Sequence, residues 1–89
     1  MRREEHEAYA AEKCHELIEE AISLRTAAHL SQKQVATALG FNSNGNIPLI
    51  EKGRSIPGLD KFLRILSVYG YTLKIIPKES RQEKRNAGQ

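Results

Sequence analysis

A capping signal at Ser31 and stop signals at Gly40 and Gly53 cut the middle of this sequence into two short helices joined by a polar turn. Ser31 suits a helix N-cap, and Gln34, three residues on, completes a capping box. Leu30 before the cap and Val35 after it form the matching hydrophobic staple. The spacing predicts a helix over 32–39, with Val35, Ala36 and Leu39 inward and Gly40 as its left-handed end. Residues 41–46, Phe-Asn-Ser-Asn-Gly-Asn, form a polar turn with one aromatic anchor. A second helix over about 45–52 follows, capped by Asn42, Ser43 or Asn44 and burying Ile47 and Ile50. Pro48 is tolerated there only in the first turn, where its missing N–H is not needed.

The flanks supply the rest of the architecture. Residues 4–27 read as one long helix, with Ala8, Ala11, Cys14, Ile18, Ile22 and Arg25 three or four apart. Leu17, Ala21 and Leu24 widen that stripe, and Glu4, Glu5 and Glu7 suit the positive end of the helix dipole. A Gly/Pro loop over 53–58 leads to a last helix with Leu59, Phe62, Leu63, Leu66 and Tyr69 as its apolar face, ended by Gly70. Tyr71-Thr-Leu-Lys-Ile-Ile76 is rich in β-formers and stops at Pro77. Residues 78–89 are polar and aperiodic and read as a disordered basic tail. The expected divisions are 1–16 as an extension of the first helix, 17–70 as the globular domain, 71–77 as a strand and 78–89 as the tail. A single strand needs a neighbour for its backbone groups. The chain offers no second strand, so pairing with the same strand of another copy is the simplest solution, with Tyr71, Leu73 and Ile75 at that interface. The alternative is an irregular extended tail lying on the helices.

The 89 residues allow one small domain, which gains little from burial and often leans on a partner. Residues 1–24 hold three basic and seven acidic side chains, a net −4, whereas 25–89 hold eleven basic and four acidic, a net +7. The basic part begins where the short helices begin, which favours a polyanion there. The lone Cys14 excludes an internal disulfide and reads as a small core residue. No apolar run reaches the roughly 20 residues that span a bilayer, and the expected location is the bacterial cytoplasm, on the nucleoid when DNA is bound. His6, His15 and His29 lack ligand spacing, no catalytic set or phosphate-cradling loop is present, and neither metal nor cofactor is implied.

Two short helices across a tight turn make a helix-turn-helix, whose second helix enters the major groove with its first residues at base edges. Asn42, Ser43, Asn44 and Asn46 present the donors and acceptors wanted there, although Asn and Ser also serve simply as turn formers and caps. Gln32 and Lys33 at the start of the first short helix suit phosphate oxygens, as do Lys52 and Arg54 after the second. Arg25 can reach the same backbone or pair with Glu51.

The run Leu30-Ser-Gln-Lys-Gln-Val-Ala-Thr-Ala-Leu-Gly40 resembles the XRE-type, lambda-repressor-like helix-turn-helix family, as do Ile50-Glu-Lys-Gly53, Pro57, Leu59, Leu63 and Ile65-Leu66. The resemblance covers about residues 17–70. It implies a mainly α fold of four to five helices with a short C-terminal strand pairing across a homodimer. It further implies a sequence-specific repressor on palindromic double-stranded operator DNA. Gln32 then meets phosphate, Ser43, Asn44 and Asn46 face the groove, and Glu51 pairs structurally with Arg25. Two departures fall on the reading helix: the Gly40-to-Glu51 spacing is one residue longer than usual, and Pro48 replaces a small polar residue. A helix domain followed by a Tyr71–Ile76 strand is also similar in layout to HipB-type antitoxins. That likeness implies autoregulation of a toxin–antitoxin operon and a HipA-like kinase toxin, whole or in two parts, as partner. A stand-alone phage- or plasmid-type repressor, and a protein-interaction module that has lost DNA reading, are the competing expectations.

Overall fold

The computed structural model of the protein describes residues 2–41 and 46–78. Four helices follow in order: α1 (Arg3–Ala27), α2 (Gln32–Ala38), α3 (Asn46–Glu51) and α4 (Leu59–Tyr69). The arrangement is mainly α. α1 and α2 each pack against both α3 and α4.

The capping box forms as the sequence predicts. The Gln34 N–H donates to Ser31 Oγ at 3.0 Å, and the Ser31 N–H donates to Gln34 Oε1 at 2.8 Å. α3 begins at Asn46, so Pro48 is its third residue and stays within the first turn. The residues expected to cap it, Asn42, Ser43 and Asn44, lie outside the described residues, as does the tail beyond Lys78.

Each helix ends in the same way. At α3, the Gly53 N–H bonds the Ile50 carbonyl at 3.0 Å and the Arg54 N–H bonds the Leu49 carbonyl at 2.9 Å, with Gly53 at φ +79°. This Schellman motif satisfies carbonyls that the helix itself leaves without partners. α1 uses it with a histidine in the left-handed position: His29 has φ +60°, and Leu30 N–H bonds the Arg25 carbonyl at 3.2 Å. Its left-handed backbone is invisible to a search for glycine stops.

The core is Ile18 and Ala21 of α1, Val35 and Ala36 of α2, Ile47 and Ile50 of α3, and Phe62, Ile65 and Leu66 of α4. Leu30, Leu39, Phe41 and Leu73 pack around it, half-buried. Two sequence expectations are corrected here. The apolar face of α4 is rotated towards Ile65, leaving Leu63 half-buried and Leu59 68% exposed. Cys14 is half-buried, because the first half of α1 extends past the other helices and Ala8 and Ala11 face solvent. Residues 71–78 are extended but form no strand among the described residues. In one copy they follow the helix surface: Leu73 packs on the core, and Lys78 Nζ sits 4.2 Å from the Tyr9 ring centroid.

His29→Gly removes an exposed side chain from a left-handed backbone position. Chemical denaturation is expected to show a gain of about 1 kcal/mol, the scale of a non-glycine residue in this region.

Candidate nucleic-acid interface

The site is organised by one half-buried carboxylate. Glu51 is the last residue of α3, where the helix dipole disfavours a negative charge. Arg25, in the last turn of α1, supplies the offset. Its Nε donates to Glu51 Oε2 at 2.7 Å and its Nη2 donates to Oε1 at 3.0 Å, the two-pronged geometry of a strong ion pair. Arg25 and Glu51 side chains are only 14% and 12% exposed. The third guanidinium nitrogen, Nη1, donates to the Leu30 carbonyl at 2.8 Å. Gln32 Nε2 donates to Glu51 Oε1 at 2.8 Å. One carboxylate thus joins the end of α1, the start of α2 and the end of α3.

The electrostatics agree with the geometry. The hydrogen bond to Glu51 raises the Arg25 pKa above its ordinary value, against a partial loss from burial. Tyr69 of α4 lies beside the pair. Burial pushes its phenol up, the Glu51 charge adds to that, and the Arg25 charge opposes it.

The clamp fixes which face of α3 meets solvent. Ile47 and Ile50 are buried, so Asn46 and Leu49 lie outward, with Leu49 44% exposed. These two are three apart and therefore neighbours on the helix surface. Gln32 and Lys33 open α2, and Lys52 and Arg54 follow α3. The Gln32–Glu51 bond holds these two helix ends together, and Lys33, Lys52, Arg54 and Asn46 are all exposed. Of the base-reading candidates, Asn46 is described and exposed, whereas Asn42, Ser43 and Asn44 fall outside the described residues.

Sequence reasoning missed two residues beside the site and one link within it. Leu49 was discoverable, because it falls off the Ile47/Ile50 stripe. Tyr69 looked like an ordinary core position. The Gln32 link to Glu51 joins residues 19 apart and carries no local signal. Lys61 Nζ, 5.4 Å from the Phe41 ring centroid, also braces the residue leading into the turn. Among the described residues no helix is long and apolar enough to cross a membrane.

Comparison with known proteins follows the same outline. The helix-turn-helix family model matches residues 22–76. An uncharacterised HTH-type transcriptional regulator of Haemophilus influenzae is 41% identical over 61 residues, 68% of this chain. The matched segment spans 61% of that relative's length. No solved structure matches the chain.

Glu51→Ala leaves the half-buried Arg25 without its counter-charge and frees Gln32 from its bond. The expected cost is about 3 kcal/mol in chemical denaturation, the scale for breaking one side of a buried pair. A loss below about 1 kcal/mol would mean that the pair behaves as a surface salt bridge.

Proposed function

The chain belongs to the helix-turn-helix family, and from that premise we propose that it is a sequence-specific transcriptional repressor binding palindromic operator DNA as a homodimer. Proteins of this family are non-catalytic, and the chain is not an enzyme. The observation that carries the reading is the exposed Asn46–Leu49 face of α3, held by the Arg25–Glu51–Gln32 clamp, with exposed cations at the ends of α2 and α3. Each of these elements matches a need of duplex recognition.

Asn46, with Asn42, Ser43 and Asn44 just before it in sequence, reads base edges through amide and hydroxyl groups. Leu49 meets a thymine methyl, the apolar feature of the major groove. Lys33, Lys52 and Arg54 neutralise phosphates on either side. Gln32 contributes in two directions. Its amide nitrogen carries two protons, one of which is given to Glu51; the other suits a phosphate oxygen. The same glutamine then anchors the motif and registers it on the DNA.

The finer reading is an antitoxin that represses its own operon and binds a HipA-like kinase toxin, whole or split into two chains, in the bacterial cytoplasm. It is supported by an extended 71–76 segment whose Tyr71, Ile75 and Ile76 remain exposed in one copy. Such a segment is suited to pair with its counterpart about a two-fold axis, with Tyr71, Leu73 and Ile75 at the interface. A stand-alone phage- or plasmid-type repressor shares the DNA behaviour and lacks the protein partner. The added residue before Glu51 and Pro48 at the third position of α3 favour an interaction module without base reading as the second reading.

Fluorescence anisotropy over a salt series separates these roles. Asn46→Ala is expected to lose about 1–3 kcal/mol of discrimination between operator and random duplex while non-specific affinity stays unchanged. Lys52→Ala and Arg54→Ala are each expected to weaken both duplexes alike and to lower the log–log salt slope by about 1. No operator preference in the unaltered protein would favour the interaction module.

Ile75 is 98% exposed in one copy, so Ile75→Asp does not disturb the monomer. Sedimentation velocity is expected to show this variant as a monomer at concentrations where the unaltered chain is a dimer. A persistent dimer would reject the strand pairing.

A further inference from the structure

A groove of about 800 Å³ lies between the first half of α1 and residues 73–78. Its walls are Tyr9 and Leu17 of α1, Leu59 and Leu63 of α4, and Leu73. A space this size takes several side chains. Ile75 and Ile76 line it while remaining 98% and 64% exposed, and Leu59 is 68% exposed. A joined apolar surface of this kind on a small soluble chain marks a contact site.

The rim charges indicate the occupant. Glu12 stands on the α1 wall and Lys74 on the opposite, extended wall. Neither has an ion-pair partner among the described residues, whereas the neighbouring Glu16 is paired with Lys13 at 3.0 Å. A surface with an unpaired acid on one wall and an unpaired base on the other is complementary to a two-fold-related copy of itself. Glu12 of each copy then faces Lys74 of the other, and the contact occurs twice. The segment Leu73-Lys-Ile-Ile76 has the composition such a groove requires, apolar with one positive charge.

Resting on the homodimer reading above, we infer that this groove is the seat of the partner copy's 73–76 segment. Glu12 and Lys74 then form intermolecular ion pairs, and the overhanging half of α1 is a dimerisation element. This gives the acidic N-terminal stretch a partner within the assembly. It also gives the dimer a helical wall in addition to strand pairing.

Charge exchange in the full chain tests this. Glu12→Lys and Lys74→Glu change exposed residues, and circular dichroism is expected to show unchanged helicity for both. In sedimentation velocity each variant alone places like charges together at both contacts and is expected to weaken the dimer at least about tenfold. An equimolar mixture of the two variants recreates an opposite-charge pair at both contacts. It is expected to recover dimerisation to within a few-fold of the unaltered chain. If both variants alone dimerise normally while Ile75→Asp does not, strand pairing stands and the groove assignment falls. If each variant is weakened but the mixture does not recover, the two charges act within one copy and the assignment again falls. If the unaltered chain is monomeric, the dimer reading and the groove assignment fail together.

Discussion

Arg25 and Glu51 hold α3 in register with α1 and α2. α3 spans only six residues, fewer than two turns, and a helix of that length has no stability of its own in water. It persists because two kinds of contact act on opposite sides. Ile47 and Ile50 fix one face by burial, and the Glu51 carboxylate fixes the C-terminal end by hydrogen bonds to α1 and α2. The ion pair is nearly enclosed, so its desolvation is costly, and it is worthwhile only because every prong of the guanidinium finds an acceptor. What it contributes above all is direction. The outward face of α3 can turn only as far as the bidentate pair allows.

The clamp also explains how a polar contact on DNA would be coupled to the fold. Gln32 occupies the first position of α2 and bonds the same carboxylate that Arg25 holds. A phosphate at Gln32 would therefore meet a side chain already ordered by the protein interior, with less conformational entropy left to lose on binding. Lys52 and Arg54 follow directly on the clamp, and the Gly53 Schellman motif sets the path of the chain between them.

The molecule has two regions of different character. Lys33, Lys52 and Arg54 lie at the ends of α2 and α3, while the long α1, with its net −4 stretch, reaches past the core and forms a wall beside residues 73–78. α1 has 25 residues, about 37 Å at 1.5 Å per residue, more than the packing of α3 and α4 against it uses. The principal extents of 47 × 26 × 19 Å reflect that overhang. A length of helix that buries little, beside an extended apolar segment that also buries little, makes sense when the two surfaces are used between molecules.

The sequence by itself determined the local grammar: the Ser31 capping box, the stops at Gly40, Gly53 and Gly70, the four helices to within a residue or two, and the Arg25–Glu51 pair. These follow from side-chain chemistry acting over three or four residues, or from a spacing that carries a family resemblance. Tertiary structure decided the rest, because burial is a property of the whole packing and not of a window. Leu63 and Ile65 are alike in a hydrophobic pattern, yet only Ile65 is buried, since the rotation of α4 is set by α1 and α2. His29 adopts a glycine's backbone because Leu30 and Arg25 fix the joint on either side. Gln32 meets Glu51 across 19 residues, a link that exists only once α2 and α3 are packed. The 71–76 segment has the composition of a strand but pairs with no strand among the described residues, so its pairing depends on what a single copy does not contain.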